Sequence, residues 1–385
     1  ATQLIGGVNV SIYTSLPEQK VGYIVRDSGA QLLVVSVPIQ RKKAEAIFDA
    51  CRDLKRVVVM SDLPDNAPTH FSHWDDAMDA GADYWSAHED TLAPLADAVT
   101  PDDTSALIYT SGTTGQPKGV VLTHENFCSN AKAALNRVPF GPDDHHLSFL
   151  PLCHSFERTA GYTAVLAAGA KISYAESIEA VSRNLVEESP TVMISVPLLF
   201  EKVYNIITKQ ASDGSVVKEK IFEWAVRTGK KTVQARRNGS PGPLLKVQQN
   251  LAHRLVFSKL HEKLGGNLKF AVSGGAALPK KIGLFFQAAG IKIIEGYGLT
   301  ETAPVLSANP MEAPRYGTVG HVLPGITVAI QRLDDNEIIG RQRGDEYPSD
   351  LTTEEGEIIA KGPNMMKKYW RRPEETRAAF DPDGW

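Results

Sequence analysis

The segment Tyr109–Gly119 reads YTSGTTGQPKG, with three glycines, three threonines, one serine and one lysine in eleven residues. Glycine lets backbone N–H groups turn toward an anion, hydroxyls donate to it, and a lysine adds a point charge. Gly112 and Gly115 supply the turns, Thr110, Ser111, Thr113 and Thr114 the hydroxyls, and Lys118 the charge. Such a loop suits a polyphosphate, yet it is no Walker A loop, which needs Gly-x-x-x-x-Gly-Lys-Ser/Thr with a helix starting at the lysine. Pro117 stands where the second glycine should be, and Gly119 where the hydroxyl should be. A plain surface turn would use the glycines but not the lysine and four hydroxyls.

Two later segments carry complementary chemistry. SGGAA (273–277) follows the apolar run NLKFAVS, and EGYGLTET (295–302) follows IKIIE, with the helical LPKKIGLFFQAAG between them. A helical crossover makes such strands parallel, so both loops emerge at the carboxyl edge of a sheet, where open α/β folds bind ligands. Gly274 and Gly275 permit close approach of a flat group to the backbone. Tyr297, between Gly296 and Gly298, offers an aromatic face on which a purine would stack for roughly 1–3 kcal/mol. Thr300 and Glu301 add a hydroxyl and a carboxylate. A carboxylate beside phosphates implies a divalent metal, and Mg2+ takes one or two carboxylates plus phosphate oxygens. A core tyrosine and a helix-capping Thr-Glu pair are the alternative.

The elements that must hold these loops are those of an α/β protein. At 385 residues the chain exceeds a usual single core. Its 42% hydrophobic and 22% charged residues are ordinary for a globular protein, and a net charge of −4 implies no general affinity for nucleic acid. Cys51, Cys128 and Cys153 are far apart and form no Cys-x-x-Cys pair, which fits a reducing cytoplasm. No apolar run approaches the ~18 residues of a membrane span. In the first hundred residues LPEQKVGYIVRDSG reads as a helix, with Pro17 in its first turn and Gly29 at its end. QLLVVSV and KRVVVM read as buried strands separated by the helical KKAEAIFDACRD. Repeated βα units argue for a parallel, doubly covered sheet. Residues 61–104 read as connection or surface helix. SALIY and GVVLT are strands flanking the phosphate loop, and Thr123 caps the helix HENFCSNAKAALN. HLSFLPL, GAKISYA and TVMISVP are further strands, and 201–263 is helical with a break near RRNGSPGP. After residue 310 short strands and many turns indicate a small β-rich lobe.

Taken together, these segments resemble the adenylate-forming (acyl-activating, AMP-binding) superfamily: YTSGTTGQPKG its phosphate loop, SGGAALP its adenine-side loop, EGYGLTET its nucleotide and magnesium motif, and GEIIAKGPNMMKKYW a later β-lobe motif. LSFLPLCHSFERTAGY and the long helical insert are similar to the long-chain fatty acyl-CoA synthetase branch. The resemblance implies parallel α/β subdomains over 1–310 that share a cleft, and a β-rich, barrel-like subdomain over 311–385, all part of a large N-terminal domain. It implies ATP-dependent activation of a fatty acid to an acyl-adenylate and then acyl-CoA, releasing AMP and pyrophosphate. The implied cofactors are ATP and Mg2+, with coenzyme A as co-substrate. By the same likeness Thr110–Thr114, Gly115 and Lys118 cradle pyrophosphate, and Thr110 and Glu301 touch Mg2+. Tyr297 with Gly274, Gly275 and Ala276 bounds the adenine, within a nucleotide motif that includes Glu295, Gly296 and Gly298. Thr300 contacts the α-phosphate, and Lys118, Thr300, Glu301 and His154 form the catalytic set. His154 lies where the family has a pocket residue near the acyl carboxylate, followed by Glu157 and Arg158 as a local ion pair; a lone histidine at a strand end is more often structural. Rivals are an adenylating enzyme for another carboxylate or a carrier-protein acceptor, and a non-catalytic nucleotide or acyl binder.

The resemblance also marks departures. The family continues past Gly384-Trp385 into a ribose-binding segment and a small mobile domain bearing a lysine for adenylation, so the chain is expected to be part of a longer polypeptide and, by itself, weakly active or inactive. Lys368 stands where the family often has glycine, which puts a tight turn there in doubt. Residues 218–246 hold eight Lys/Arg against two acids around Phe222 and Trp224. They read either as a peripheral contact with an anionic membrane or as a solvated helical face. Oligomeric state and acyl chain length are not legible.

Overall fold

The computed structural model describes residues 2–110, 115–346 and 352–385. It divides into two compact units: residues up to Asn126 with Met366–Gly384, and Phe127–Met365 with Trp385.

The first unit begins with β1 (Asn9–Ser11) and α1 (Glu18–Ser28). Pro17 is the residue before α1 rather than inside its first turn, and Gly29 ends the helix at φ +71, where a side chain would be strained. Then follow β2 (Leu32–Val35), α2 (Pro38–Ile47), β3 (Arg56–Val59), β4 (Phe71–His73), α3 (Trp74–Ala87) and α4 (Leu92–Asp97). β2, β3 and β4 form a three-stranded parallel sheet; β4 was hidden in a polar stretch. Buried-strand character holds for β3 but not for β2, an edge strand whose Leu32 and Val34 are 55% and 45% exposed. A cavity of about 870 Å³ lies along it, lined by Val8, Val10, Leu33 and Trp370 among others. β5 (Thr104–Thr110) pairs parallel with β1 and antiparallel with β6 (Lys118–Thr123), and the short strand Lys368–Tyr369 closes the other side of β6.

The second unit takes most of α5 (His124–Arg137), whose start is held by a reciprocal pair: Thr123 Oγ1 accepts from Asn126 N–H, and Asn126 Oδ1 from Thr123 N–H. Its strands are β7 (His145–Ser148), β8 (Lys171–Tyr174), β9 (Val192–Ser195), β10 (Phe270–Ser273), β11 (Lys292–Gly298), β12 (Val305–Ala308) and β13 (His321–Val322). They build a seven-stranded sheet in the order β13-β12-β11-β10-β9-β7-β8. β7 to β11 run parallel, β12 is antiparallel to β11 and β13 antiparallel to β12, so the sheet is mixed. Alternation along the strands feeds two cores. Met193, Ala271 and Ile293 pack with Phe200, Phe257 and Phe286, while Val192, Phe270 and Ile294 pack with Ala133, Val138 and Leu306. Both faces are thus covered, as near-continuous apolar strands require. The helices are α6 (Ala164–Ala167), α7 (Val181–Glu188), α8 (Pro197–Ser212), α9 (Val216–Arg237), α10 (Pro243–Ala252), α11 (Ser258–Lys263) and α12 (Lys280–Ala288), with π-helical turns at Glu157–Thr163 and His253–Phe257.

The β-rich region is β14 (Thr327–Gln331), β15 (Ile338–Arg343) and β16 (Glu357–Lys361), an antiparallel sheet with β14 at its centre. Among the described residues it is a three-stranded sheet. Residues 366–384 leave it to pack in the first unit, beside β6.

Candidate functional site

In the first unit the phosphate-loop sequence joins the two strands of a hairpin. Thr110 faces Lys118 and Tyr109 faces Gly119 across the β5–β6 register. Ser111, Gly112, Thr113 and Thr114 lie outside the described residues. Gly115 has φ +129 and open space around it, a conformation that favours glycine. Thr110 is half-buried, its Oγ1 3.5 Å from Lys118 O, and the Lys118 ammonium lies 5.3 Å from the centre of the Tyr369 ring. The base of the hairpin is tied by residues far off in sequence. Tyr23 on α1 donates its hydroxyl hydrogen to Pro117 O at 3.0 Å and accepts from Arg372 Nη2 at 2.8 Å. Trp370 N–H donates to Gly119 O at 2.7 Å. A Cβ on Gly119 would sit 3.0 Å from the Tyr109 ring and 3.3 Å from Trp370, so tight packing is what this glycine serves. Burial and the hydrogen bond to Asp27 raise the Tyr109 phenol far above its ordinary value. Lys368 lies in extended strand; the left-handed residue of this segment is Arg371, at φ +53.

In the second unit, β7, β9, β10 and β11 open at one edge of the sheet. SGGAA leaves β10 there, as the crossover rule requires. Glu295, Gly296, Tyr297 and Gly298, read as a loop in the sequence, are the end of β11. A Cβ on Gly274 would meet the Phe156 ring at 2.8 Å, so the flat group packed against this backbone is Phe156 itself. Gly275 has φ +79, and Ala276 is exposed. A Cβ on Gly298 would collide with Pro304 O at 1.8 Å, which makes glycine obligatory at the bulge where β11 meets β12. Gly296 meets no such restriction. The Glu295 carboxylate is buried, accepts from Gly317 N–H at 3.1 Å, and is raised above its usual pKa by that burial, with the hydrogen bond opposing.

Thr300, Glu301 and Thr302 form one 3₁₀ turn, and neighbouring elements clamp it. Ser155 Oγ, in the CHSFER segment, and Thr300 Oγ1 are 3.2 Å apart, and Thr159, the next residue after that segment, donates to Ala303 O at 2.9 Å. Asn130 on α5 exchanges two hydrogen bonds with the Val305 backbone, at 2.7 and 3.0 Å. Asn364 donates to Thr302 O at 2.6 Å. Asn130, Ser155, Thr159 and Asn364 were not legible as site residues. The signal available was three small polar residues in otherwise apolar-facing segments, and the Asn of GPNMMKKYW.

The expected Glu157–Arg158 ion pair is replaced by another arrangement. Glu157 is fully buried. Its Oε1 accepts from Ser148 Oγ at 2.6 Å and from His146 Nε2 at 3.2 Å, while Arg158 stacks 5.5 Å from the centre of the Phe127 ring. The reason is helical geometry: in the π-helical turn consecutive residues point to different sides, one inward to β7 and the other away. His154 stands at an exposed rim, its Nδ1 accepting from Phe156 N–H at 3.1 Å; desolvation against its neighbours lowers its pKa, with Glu157 opposing. His154, Ser155, Thr300 and Tyr297 border a cavity of about 90 Å³, and the apolar Ala134, Val138, Phe140, Ile194 and Val272 are also in its lining. A mainly apolar lining with a few hydroxyls suits a ligand with a polar head and an apolar body.

The model of the AMP-binding enzyme family matches residues 1–370. The chain is 32% identical to the long-chain-fatty-acid--CoA ligase FadD15 of Mycobacterium bovis, over 99% of this chain and 58% of that protein. It is 30% identical to the peroxisomal long chain acyl-CoA synthetase 7 of Arabidopsis thaliana, over 98% of this chain and 51% of that one. The chain thus spans little more than half the length of these relatives. The ATP-bound crystal structure of MatB from Rhodopseudomonas palustris shares the fold, with a TM-score of 0.64 at 23% identity, covering 98% of this chain and 60% of that one.

Proposed function

As this chain belongs to the AMP-binding enzyme family, we propose that it carries the nucleotide and carboxylate sites of an ATP-dependent long-chain fatty acid–CoA ligase. In this reading a carboxylate oxygen of the fatty acid attacks the α-phosphorus of ATP and pyrophosphate leaves. The thiol of coenzyme A then displaces AMP from the acyl-adenylate, its proton passing to solvent. The observation that carries the reading is the cavity of the second unit, whose lining joins His154, Ser155 and Thr300 to apolar side chains. The names of the two relatives, both long-chain acyl ligases, support the substrate class.

Lys118 and the hydroxyls of Thr110–Thr114 would hold the leaving pyrophosphate, where positioning and charge neutralisation lower the barrier. Thr300 would donate to the α-phosphate, held in place by Ser155. Tyr297 with Gly274, Gly275 and Ala276 would bound the adenine. Glu301 would supply a carboxylate to Mg2+, which neutralises phosphate charge when bound. One carboxylate fits an ion that keeps water and phosphate ligands, and among the described residues no group of three His, Cys, Asp or Glu encloses a metal. A cytoplasmic setting with peripheral membrane contact at 218–246 belongs to the same reading; among the described residues no helix is long and apolar enough to cross a membrane.

Titration calorimetry with ATP–Mg2+ and with stable acyl-adenylate analogues carrying a long or a two-carbon acyl group tests this without requiring turnover. The long-chain analogue should bind at least about tenfold tighter, since each buried methylene contributes about 0.8 kcal/mol. Equal affinities would remove the long-chain assignment. Absence of binding by ATP and both analogues would remove the adenylating one.

A further inference from the structure

The helices from α9 to α11 are electrically unlike the rest of the molecule. Residues 216–263 hold eleven Lys/Arg and three acids in a chain whose net charge is −4. Among the described residues none of those eleven cations forms an ion pair, although pairs are common elsewhere, as at Lys171–Glu188 and Lys269–Asp144. Uncompensated cations at this density repel one another, and a compact fold gains nothing from them unless an anionic partner is met.

The same helices expose a row of hydrocarbon. Leu244 and Val247 on α10 are 72% and 64% exposed, and Leu251 and Leu255 continue the row at 47% and 49%. The spacing of three, four and four residues places them on one side of the helix, extending about 16 Å along its axis through the following π-helical turn. The side that packs inward is a different one, marked by buried Ala252, Phe257 and Leu260. The helix therefore has two apolar faces, and packing within the unit accounts for only one. Lys246, Arg254 and Lys259 are exposed around the outer row.

We infer that the outer face of Pro243–Lys259 docks on a lipid bilayer with anionic headgroups, the row Leu244, Val247, Leu251 and Leu255 entering the headgroup boundary and the neighbouring cations meeting lipid phosphates. Charge complementarity decides the occupant. A bilayer supplies a plane of hydrocarbon beneath a plane of negative charge, which matches a single apolar row amid unpaired Lys and Arg. This deepens the membrane contact read for 218–246 by moving its anchor to α10, and it does not depend on the acyl-activating reading.

The test is co-sedimentation of the full chain, without substrate, with phosphatidylcholine vesicles and with vesicles in which roughly one-third of the lipid is phosphatidylglycerol. The chain should bind the anionic vesicles and release as salt is raised. Leu244→Ser with Leu251→Ser should weaken that binding more than about tenfold. Lys246→Gln, Arg254→Gln and Lys259→Gln should each weaken it roughly fivefold, as about 1 kcal/mol per cation near the surface implies. Thermal melts of the variants should match the parent, because the replaced side chains are exposed. If the parent binds anionic vesicles and the double leucine variant binds equally well, the α10 anchor is wrong while the charge reading for 218–246 stands. If the parent binds neither vesicle, both are wrong. If sedimentation velocity shows the parent as a dimer that the leucine variant splits, with vesicle binding unchanged, the row is an interface between two copies and the inference is overturned.

Discussion

Lys118 faces Thr110 at the mouth of the β5–β6 hairpin, with its ammonium beside the Tyr369 ring. A cation on a strand end, not on a helix as in a Walker loop, can meet an anion only through side-chain reach. Lys118→Ala should therefore weaken ATP binding by roughly 10–100-fold, the worth of one charge-assisted hydrogen bond, with thermal stability little changed; calorimetry checks both. Glu157 is the opposite case, a residue whose carboxyl serves the interior. Ser148 and His146 both turn to its Oε1, and a Cβ on Gly161 would lie 2.4 Å from the carboxyl. Glu157→Ala leaves two buried polar groups without their acceptor and should cost about 3–5 kcal/mol in urea unfolding, whereas Glu157→Gln keeps an acceptor for Ser148 and should cost about 1–2 kcal/mol. Equal losses in the two variants would show that neither side-chain volume nor a single acceptor for Ser148, both of which Gln keeps, holds the π-helical turn. Neighbouring letters gave Glu157 and Arg158 as a pair because sequence spacing carries no direction within a π-helical turn.

At the scale of elements, the Thr300–Thr302 turn is held by α5, by the CHSFER segment and by Asn364, and α5 is the firmest of these. Asn130 satisfies both the N–H and the C=O of Val305, and it is itself fully buried. Asn130→Ala should destabilise by about 1–3 kcal/mol and should also weaken ATP binding several-fold, because the turn carrying Thr300 loses its support. A variant destabilised but unchanged in ATP affinity would separate the clamp from the site. The βαβ unit around SGGAA was legible because its apolar runs, its Pro279 and Gly290 boundaries and its crossover length agree at every level. The clamp was not. A single asparagine in a helix of ordinary pattern has no periodicity to betray it, and its partner lies 175 residues away.

For the second unit as a whole, the edge opposite the site is pinned by Asp144, which accepts from Thr191 Oγ1 at 2.7 Å, Lys269 Nζ at 2.8 Å and Gly141 N–H at 3.0 Å. It gathers the amino ends of β7, β9 and β10. Burial alone would push its carboxyl up, but these hydrogen bonds and the Lys269 charge outweigh it and hold the pKa below 3.8. A depressed carboxylate binds its proton more weakly folded than unfolded. Its contribution is therefore complete above pH 3.8 and drains away as pH falls through the lower folded value. Thermal melts should show the parent losing stability below about pH 4 more steeply than Asp144→Asn, which at neutral pH should already be about 1 kcal/mol less stable, since Lys269 is half exposed and screened. Parallel curves for the two proteins would refute the role.

What this sequence determines by itself is whatever is encoded locally: the glycine, hydroxyl and lysine content of YTSGTTGQPKG, the order of its motifs, and the strands whose both-sided apolarity demands a covered sheet. Those suffice for the family and for the α/β class. Only the tertiary structure decided that EGYG is strand, that β2 is an exposed edge, that residues 366–384 return to the hairpin of the phosphate loop, and that Glu157 serves β7 and not Arg158. It alone showed that Leu244, Val247, Leu251 and Leu255 share an outward face. The physical reason is common to all of these. Side-chain direction, burial and long-range hydrogen bonding are fixed by packing between segments distant in the chain, and a helix with apolar residues on two faces reads the same in sequence whichever face the fold buries.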